Sequence, residues 1–416
     1  SFLHKHYIAE SMVASLGIAA HFLTALLIFV AARTLGRDNK TATILALLFA
    51  FCTVNLPSSR DGYEHAYEGL FLLASFILAW KATSEAPLAH GLLYAGLLLG
   101  IGALFRPNIM LALPGLLIIA RQPRAAASLL AGVTPAIVVL LAYNLLRFGN
   151  PLTTGYSEAW EIANPNLEHH FDISLQHMLP AAFGLLLSPG KGLFIFTPLL
   201  LLLIMLGVSS DVRSRRIIVP ILVTFAAYIA FFSTNFAWHG SAWSWGPRYI
   251  IAVVPLLVLL LPIGGDSLIR RWMMYLLGVG SASIQVAALI GNYKRHLLHL
   301  WRDQPDVFAN GEVFFNPALS PIFGIFSSAN AALCNLVSGT KYYAYLDSQG
   351  WRSEARPASI DMMISSSIDL NVVDLWWIRI LHSSLPPSLQ ISGMAFGVLS
   401  LLIFAWFVRR LVAANK

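Results

Sequence analysis

Only 11% of this 416-residue chain is charged, so ionisable side chains that adjoin long apolar runs are where chemistry would reside. The stretch NLPSSRDGYEHAYEGLFLLASF sets Glu64 and Glu68 one helical turn apart. If a helix starts near Tyr63, both carboxylates share a face and Glu68 lies deeper towards the apolar run. A carboxylate at that depth is costly unless paired or protonated, which marks both as candidate catalytic groups. The bland reading is a helix N-terminus whose dipole favours acids.

Three cations stand at comparable breaks in apolar sequence. In ALFRPNIMLALP, Pro107 stops one helix and starts the next, placing Arg106 at a tight hairpin turn. A guanidinium there either reaches lipid headgroups or grips a phosphate with its two-pronged fork. In HMLPAAFGLLLSPGKGLFIFTP, Lys191 follows a flexible turn. The G-x-x-x-x-G-K-[ST] spacing of a nucleotide phosphate loop fails there, and no strand precedes it. The short apolar piece Ala181 to Leu187 reads instead as a re-entrant segment whose amides and ammonium suit an anion.

The third cation, Arg248, closes WHGSAWSWGPRY, which also holds Trp238, His239, Trp243 and Trp245. Such indoles make an ordinary interfacial belt. Yet Gly240, Ser241, Ser244, Gly246 and Pro247 break the helix into a compact turn, and indole faces suit sugar rings. The candidate ligands of a glycosyl phospholipid are therefore His239, Trp243, Trp245 and Arg248, with Arg106 and Lys191. A further loop leaves the membrane at Arg147 and carries Glu158, Glu161, Glu168, His169, His170 and Asp172. Its spacing matches no metal motif, and it reads as solvated, although a divalent cation is admissible.

The elements that must position these residues are membrane helices. Mean hydropathy is +0.70, and 57% of residues are hydrophobic, against about a quarter charged in a soluble globular domain. Apolar runs occur at 11–32, 42–56, 69–80, 91–105, 108–120, 125–143, 192–208, 217–233, 249–263, 272–290 and 391–408, about eleven spans. Several fall short of the roughly 20 residues a crossing needs. Cys52 and Cys334 form no metal or disulfide framework.

Alternate loops at 33–40, 81–87, 121–124, 209–216, 264–271 and 409–416 hold 14 of the 27 Lys and Arg but only four of the 20 acids. The positive-inside rule puts them in the cytoplasm, with the C-terminus. The net charge of +7 is thus a matter of topology and implies no nucleic-acid partner. Residue 1 then lies outside, which predicts a lost upstream segment. The outer side receives 57–68, 147–191, 234–248 and 292–388. The last has no run long enough to span and reads as a small subdomain with amphipathic helices on the membrane surface. The expected fold is an all-α polytopic bundle: a core over 1–291, the outer subdomain over 292–388, and a final helix and tail over 389–416.

FRPNIMLALPGLLI, YNLLRFGNPLTTGY, LLSPGKGLFIFTPLLLL and WSWGPRYIIAVVPLLVLLL, in this order and spacing, resemble bacterial integral-membrane glycosyltransferases of the C-type (GT-C) superfamily. The branch is the one akin to protein mannosyltransferases and aminoarabinose transferases. The resemblance covers roughly residues 10–300, and NPALSPIFG and VDLWW are similar too. It implies transfer of a sugar from a polyprenyl phosphate to a glycan, lipid or protein acceptor outside a bacterial inner membrane, without a required cofactor. It carries over Glu64, Arg106, Lys191 and the Trp245 to Arg248 string. In such enzymes a catalytic acid stands in the first outer loop, and this chain begins after most of that loop. Two other functions remain open: a non-catalytic accessory subunit of a larger membrane assembly, or a lipid-linked sugar flippase. Intramembrane charges would mark a flippase, and His21 is the main one here.

Overall fold

The computed structural model describes residues 2–60, 64–84, 88–153, 171–208, 215–263 and 267–338, with a few helical positions between 387 and 409. Every named element within them is helical, and one isolated bridge joins Phe171 to Asn235. The first half comprises α1 (Phe2–Thr34), α2 (Asn39–Cys52), α3 (Asn55–Arg60), α4 (His65–Ala82), α5 (Gly91–Phe105), α6 (Leu113–Ala120) and α7 (Pro123–Phe148). Then come α8 (Leu175–Leu187), α9 (Leu193–Phe196), α10 (Leu201–Leu206), α11 (Arg215–Ser233), α12 (Val254–Val258) and α13 (Leu268–Ile290). After them lie α14 (Tyr293–Asp303), α15 (Asp306–Ala309), α16 (Glu312–Phe315) and α17 (Pro321–Ser338).

Five described segments are long and apolar enough to cross a membrane: Ser15–Thr34, Pro123–Phe148, Arg216–Ser233, Leu268–Ile290 and Pro317–Ser338. The first four match runs among the about eleven expected; the run 69–80 lies in the continuous 18-residue α4, and most of the rest are short or interrupted. Asn39–Cys52, Gly91–Phe105, Pro107–Ala120, Leu175–Leu187 and Arg248–Val258 are shorter apolar helices. Proline causes much of the interruption. Pro107 and Pro198 open 3-10 turns at Pro107–Ala112 and Pro198–Leu200, and Pro247 precedes another at Arg248–Val253. With a ring in place of an amide hydrogen, Pro107 and Pro198 each stop the helix before them. The run 391–408 lies largely outside the described residues.

Short helices survive in the bundle because neighbours cover them. The 254–261 stretch is wholly buried. By contrast α13 leaves Leu268, Ile269, Trp272, Tyr275, Leu276 and Val279 exposed, an apolar stripe suited to lipid. Helices α5 and α7 approach closely at Gly96 and Gly132: a methyl group at Gly96 would collide with the Leu129 carbonyl, and one at Gly132 with that of Leu93. Small residues let membrane helices come into backbone contact.

His21, the mid-span histidine, is buried on α1 and hydrogen-bonds through Nε2 to the Ala50 carbonyl at 3.0 Å. Beside it a small cavity lined by Thr24, Asn55, Ser58 and Ser59 has room for about one water.

One expectation is corrected in the 292–388 region. Pro317–Ser338 has the length and hydropathy of a span, where no such run was expected. This helix packs against α13. A Cβ on Gly291, just past the end of α13, would meet the Ala329 nitrogen at 2.7 Å. The middle of α17 therefore sits level with the end of α13.

Candidate functional site

Proline chemistry aims the first cation. The residue before a proline is forced out of helical geometry, and Arg106 is extended at φ −154°, ψ 109°. Its backbone N–H still closes α5 on Gly102 at 2.9 Å, while its side chain is 2% exposed and reaches α4. Glu64 occupies the N-cap position of α4, yet its side chain makes no cap hydrogen bond. It meets Arg106 instead, Oε1 to Nη1, at 3.1 Å. Glu68 and His65, in the first turn of α4, are 0% and 1% exposed.

These side chains form one network. Arg106 Nε lies 3.4 Å from Glu68 Oε2, and Tyr228 on α11 donates its hydroxyl to Glu68 Oε1 at 2.7 Å. Arg106 Nη1 also touches the His65 ring, and the guanidinium lies over Tyr249, 5.3 Å from the ring centroid. Arg248 enters from the other side. Its Nε donates to His65 Nε2 at 2.8 Å, and its Nη2 lies 3.8 Å from Glu64 Oε1, the oxygen that Arg106 also holds. His65 Nε2 accepts from Arg248, and its Nδ1 lies against Arg106 Nη1 and 3.6 Å from Glu68 Oε2.

Two guanidiniums and two carboxylates balance formally, which is how buried charge is tolerated. Exposure is graded: Glu64 at 26% and Arg248 at 22% form the mouth, while Glu68 and Arg106 form the floor. Burial raises the Glu64 pKa, but Arg106 and Arg248 outweigh it and hold this carboxyl below its ordinary range.

Lys191 is placed close to Arg248 but differently engaged. Its ammonium is 2% exposed and contacts the Ser241 carbonyl at 2.7 Å, that of Ser244 at 2.5 Å and the Ser244 hydroxyl at 2.9 Å. The Ala242 carbonyl lies 3.4 Å away as a fourth acceptor, so all three donors are engaged. Lys191 therefore laces the 238–248 loop from within, where a phosphate contact had been expected. Burial, followed by the Arg248 charge, pushes its pKa well down. The loop needs such a brace because Gly240, Ser241 and Gly246 all have positive φ. The turn bearing Lys191 is anchored in turn, Gly190 N donating to Phe314 O at 3.0 Å and Ser320 Oγ to Pro189 O at 2.6 Å.

The tryptophans rivet that loop to its surroundings. Trp238 packs against Gly184 and edge-on to Phe314. Trp243 lies nearly parallel to Phe308 and against Trp301. Trp245 is 2% exposed, against Phe196 and Tyr293, its Nε1 directed at Gln285 Oε1. Such an indole has no open face for a sugar. His239 stacks on Phe314 at 4.3 Å. Burial, then Lys191, lowers its pKa to about 3, against the Ser241 hydrogen bond that raises it.

Of the residues singled out from sequence, Glu64, Glu68, Arg106 and Arg248 meet directly, with Lys191 behind the loop that presents Arg248. His239, Trp243 and Trp245 serve the loop's packing. His65, Tyr228 and Tyr249 were not singled out, although a hydroxyl at Tyr228 inside an apolar helix is a usable signal. The cluster from Glu158 to His170 lies outside the described residues. Asp172 is described, and its carboxylate accepts from Ser174 N at 2.8 Å. No grouping of three metal-ligating side chains occurs among the described residues. No family model, curated protein or solved structure matches the chain.

Proposed function

We propose that the chain is a bacterial inner-membrane glycosyltransferase that moves a sugar from a polyprenyl phosphate to an acceptor hydroxyl on the extracytoplasmic side. About eleven crossings and a cytoplasmic C-terminus belong to this reading. The observation that supports it best is the convergence of Arg106 and Arg248 on one oxygen of Glu64. Two guanidiniums, Arg248 at the partly exposed mouth of the cluster and Arg106 on its buried floor, suit a phosphate monoanion or dianion, and a carboxylate beside them suits the acceptor.

The reaction balances without a cofactor. The acceptor oxygen forms a bond to the anomeric carbon while the bond from that carbon to the phosphate oxygen breaks. The electron pair leaves with the lipid phosphate, whose growing charge is stabilised by Arg106 and Arg248. The hydroxyl proton passes to a carboxylate, for which Glu64 is the candidate among the described residues.

Incubating the purified protein with a panel of polyprenyl phosphate sugars and acceptor lipids tests this. Transfer by wild type and its loss in Arg248→Ala are expected; absence of turnover and of donor binding across the panel would overturn the reading. A second reading has its own support: the cluster is charge-balanced within the chain, as a purely structural network would be. A non-catalytic accessory subunit would keep its fold and partners and transfer nothing.

A further inference from the structure

Glu64 stands where an incoming anion would have to sit. One of its oxygens lies 3.1 Å from Arg106 Nη1 and 3.8 Å from Arg248 Nη2, the arrangement of a bridging anion between two forks. The guanidiniums are also held from the protein interior, Arg106 by Glu68 and Arg248 by His65. Removing the Glu64 carboxylate would therefore leave both cations in place. Its partial exposure, and its position where α4 begins, give it room to swing aside.

We propose that Glu64 is a built-in counter-anion that the donor phosphate displaces, so that the catalytic base is freed only when donor is bound. This rests on the glycosyl phosphate reading above. In the empty site the carboxylate is a poor base, because two cations stabilise its charged form. A phosphate that takes over Arg106 and Arg248 removes that stabilisation and adds a like charge nearby, both of which raise proton affinity. The released Glu64 then lies beside the phosphate-linked sugar, where an acceptor hydroxyl must be deprotonated. Without donor, the carboxylate stays tied to the guanidiniums and water is not activated.

Displacement has a consequence that a simple binding residue would not show. An uncharged Glu64→Gln competes less well for the guanidiniums, so a polyprenyl monophosphate should bind more tightly, on the order of fivefold. Transfer should meanwhile fall, because the proton acceptor is gone. Glu64→Asp, one methylene shorter, should bridge less well and likewise bind the lipid phosphate more tightly, with part of the transfer retained. It serves as the second variant should the amide fail to fold.

Equilibrium binding of a polyprenyl monophosphate to wild type and both variants in nanodiscs, with single-turnover transfer alongside, decides the matter. Tighter binding with slower transfer supports displacement. Equal or weaker binding by the variants, with wild type binding normally, overturns displacement and leaves the function standing. No binding by wild type overturns the function itself.

Discussion

At the scale of single residues, the site is a problem in holding buried charge. Tyr228 is the least conspicuous member and the most testable. Its hydroxyl bonds a carboxylate that in turn holds Arg106, so Tyr228→Phe should destabilise the protein by about 1–3 kcal/mol, the range for a buried hydrogen bond to a charged group. Thermal unfolding in detergent measures that, and an unchanged midpoint would remove Tyr228 from the network. His239 gives a second test, with its sign set by direction of shift. Its folded pKa of about 3 lies below the ordinary value near 6.5, so the unfolded chain binds the extra proton first. Stability should fall by about 1 kcal/mol per pH unit on acidification from pH 6.5 towards 3. His239→Phe should flatten that part of the stability profile while keeping the stack on Phe314. The charged members were legible in the sequence because each stands out in apolar surroundings. His65 and Tyr228 were not, since what gives them a role is pairing across elements: Tyr228 and Glu68 are 160 positions apart.

At the scale of elements, the loop 238–248 shows what residue type alone leaves out. A lysine after a glycine turn looks like an anion ligand until the carbonyls around it are known, and those belong to Ser241 and Ser244, fifty and more positions away. Replacing the ammonium should thus act on folding before binding. Lys191→Met would leave the Ser244 carbonyl without this donor and cost about 1–3 kcal/mol. It should also make Trp238–Trp245 accessible to an aqueous fluorescence quencher. Native-like stability and quenching would show that the ammonium is not a brace. The interrupted helices follow the same logic. Apolar runs announce themselves in sequence, but whether a run forms one rod or two short pieces depends on proline and on cover from neighbours. The 249–263 run is interrupted by 3-10 turns, whereas the equally apolar α7 forms one helix across Pro135.

At the scale of the whole molecule, the parity of the proposed topology predicts that α17 does not cross the membrane. In the topology proposed above, the basic loops 264–271 and 409–416 share one side. From the first of these α13 leads across to Gly291, and a run at 391–408 would lead back to the tail. One extra crossing by α17 would put the basic tail on the wrong side. Geometry agrees, because the middle of α17 touches the residue just after α13. If α13 crosses as proposed, a helix of 18 residues with its midpoint at that level, at about 1.5 Å per residue, is expected to fall short of crossing the same slab. Its N-terminal end is tied to the turn that carries Lys191, Ser320 Oγ donating to Pro189 O. The native cysteines make this measurable, Cys334 being exposed and Cys52 buried. In vesicles of known orientation, a membrane-impermeant maleimide should label Cys334 from the side of the loop 238–248, with Cys52 unreactive until the protein unfolds. Labelling of Cys334 only from the side of the C-terminal tail would make α17 a true span. It would then require another crossing between 339 and 391 to keep the basic tail in the cytoplasm.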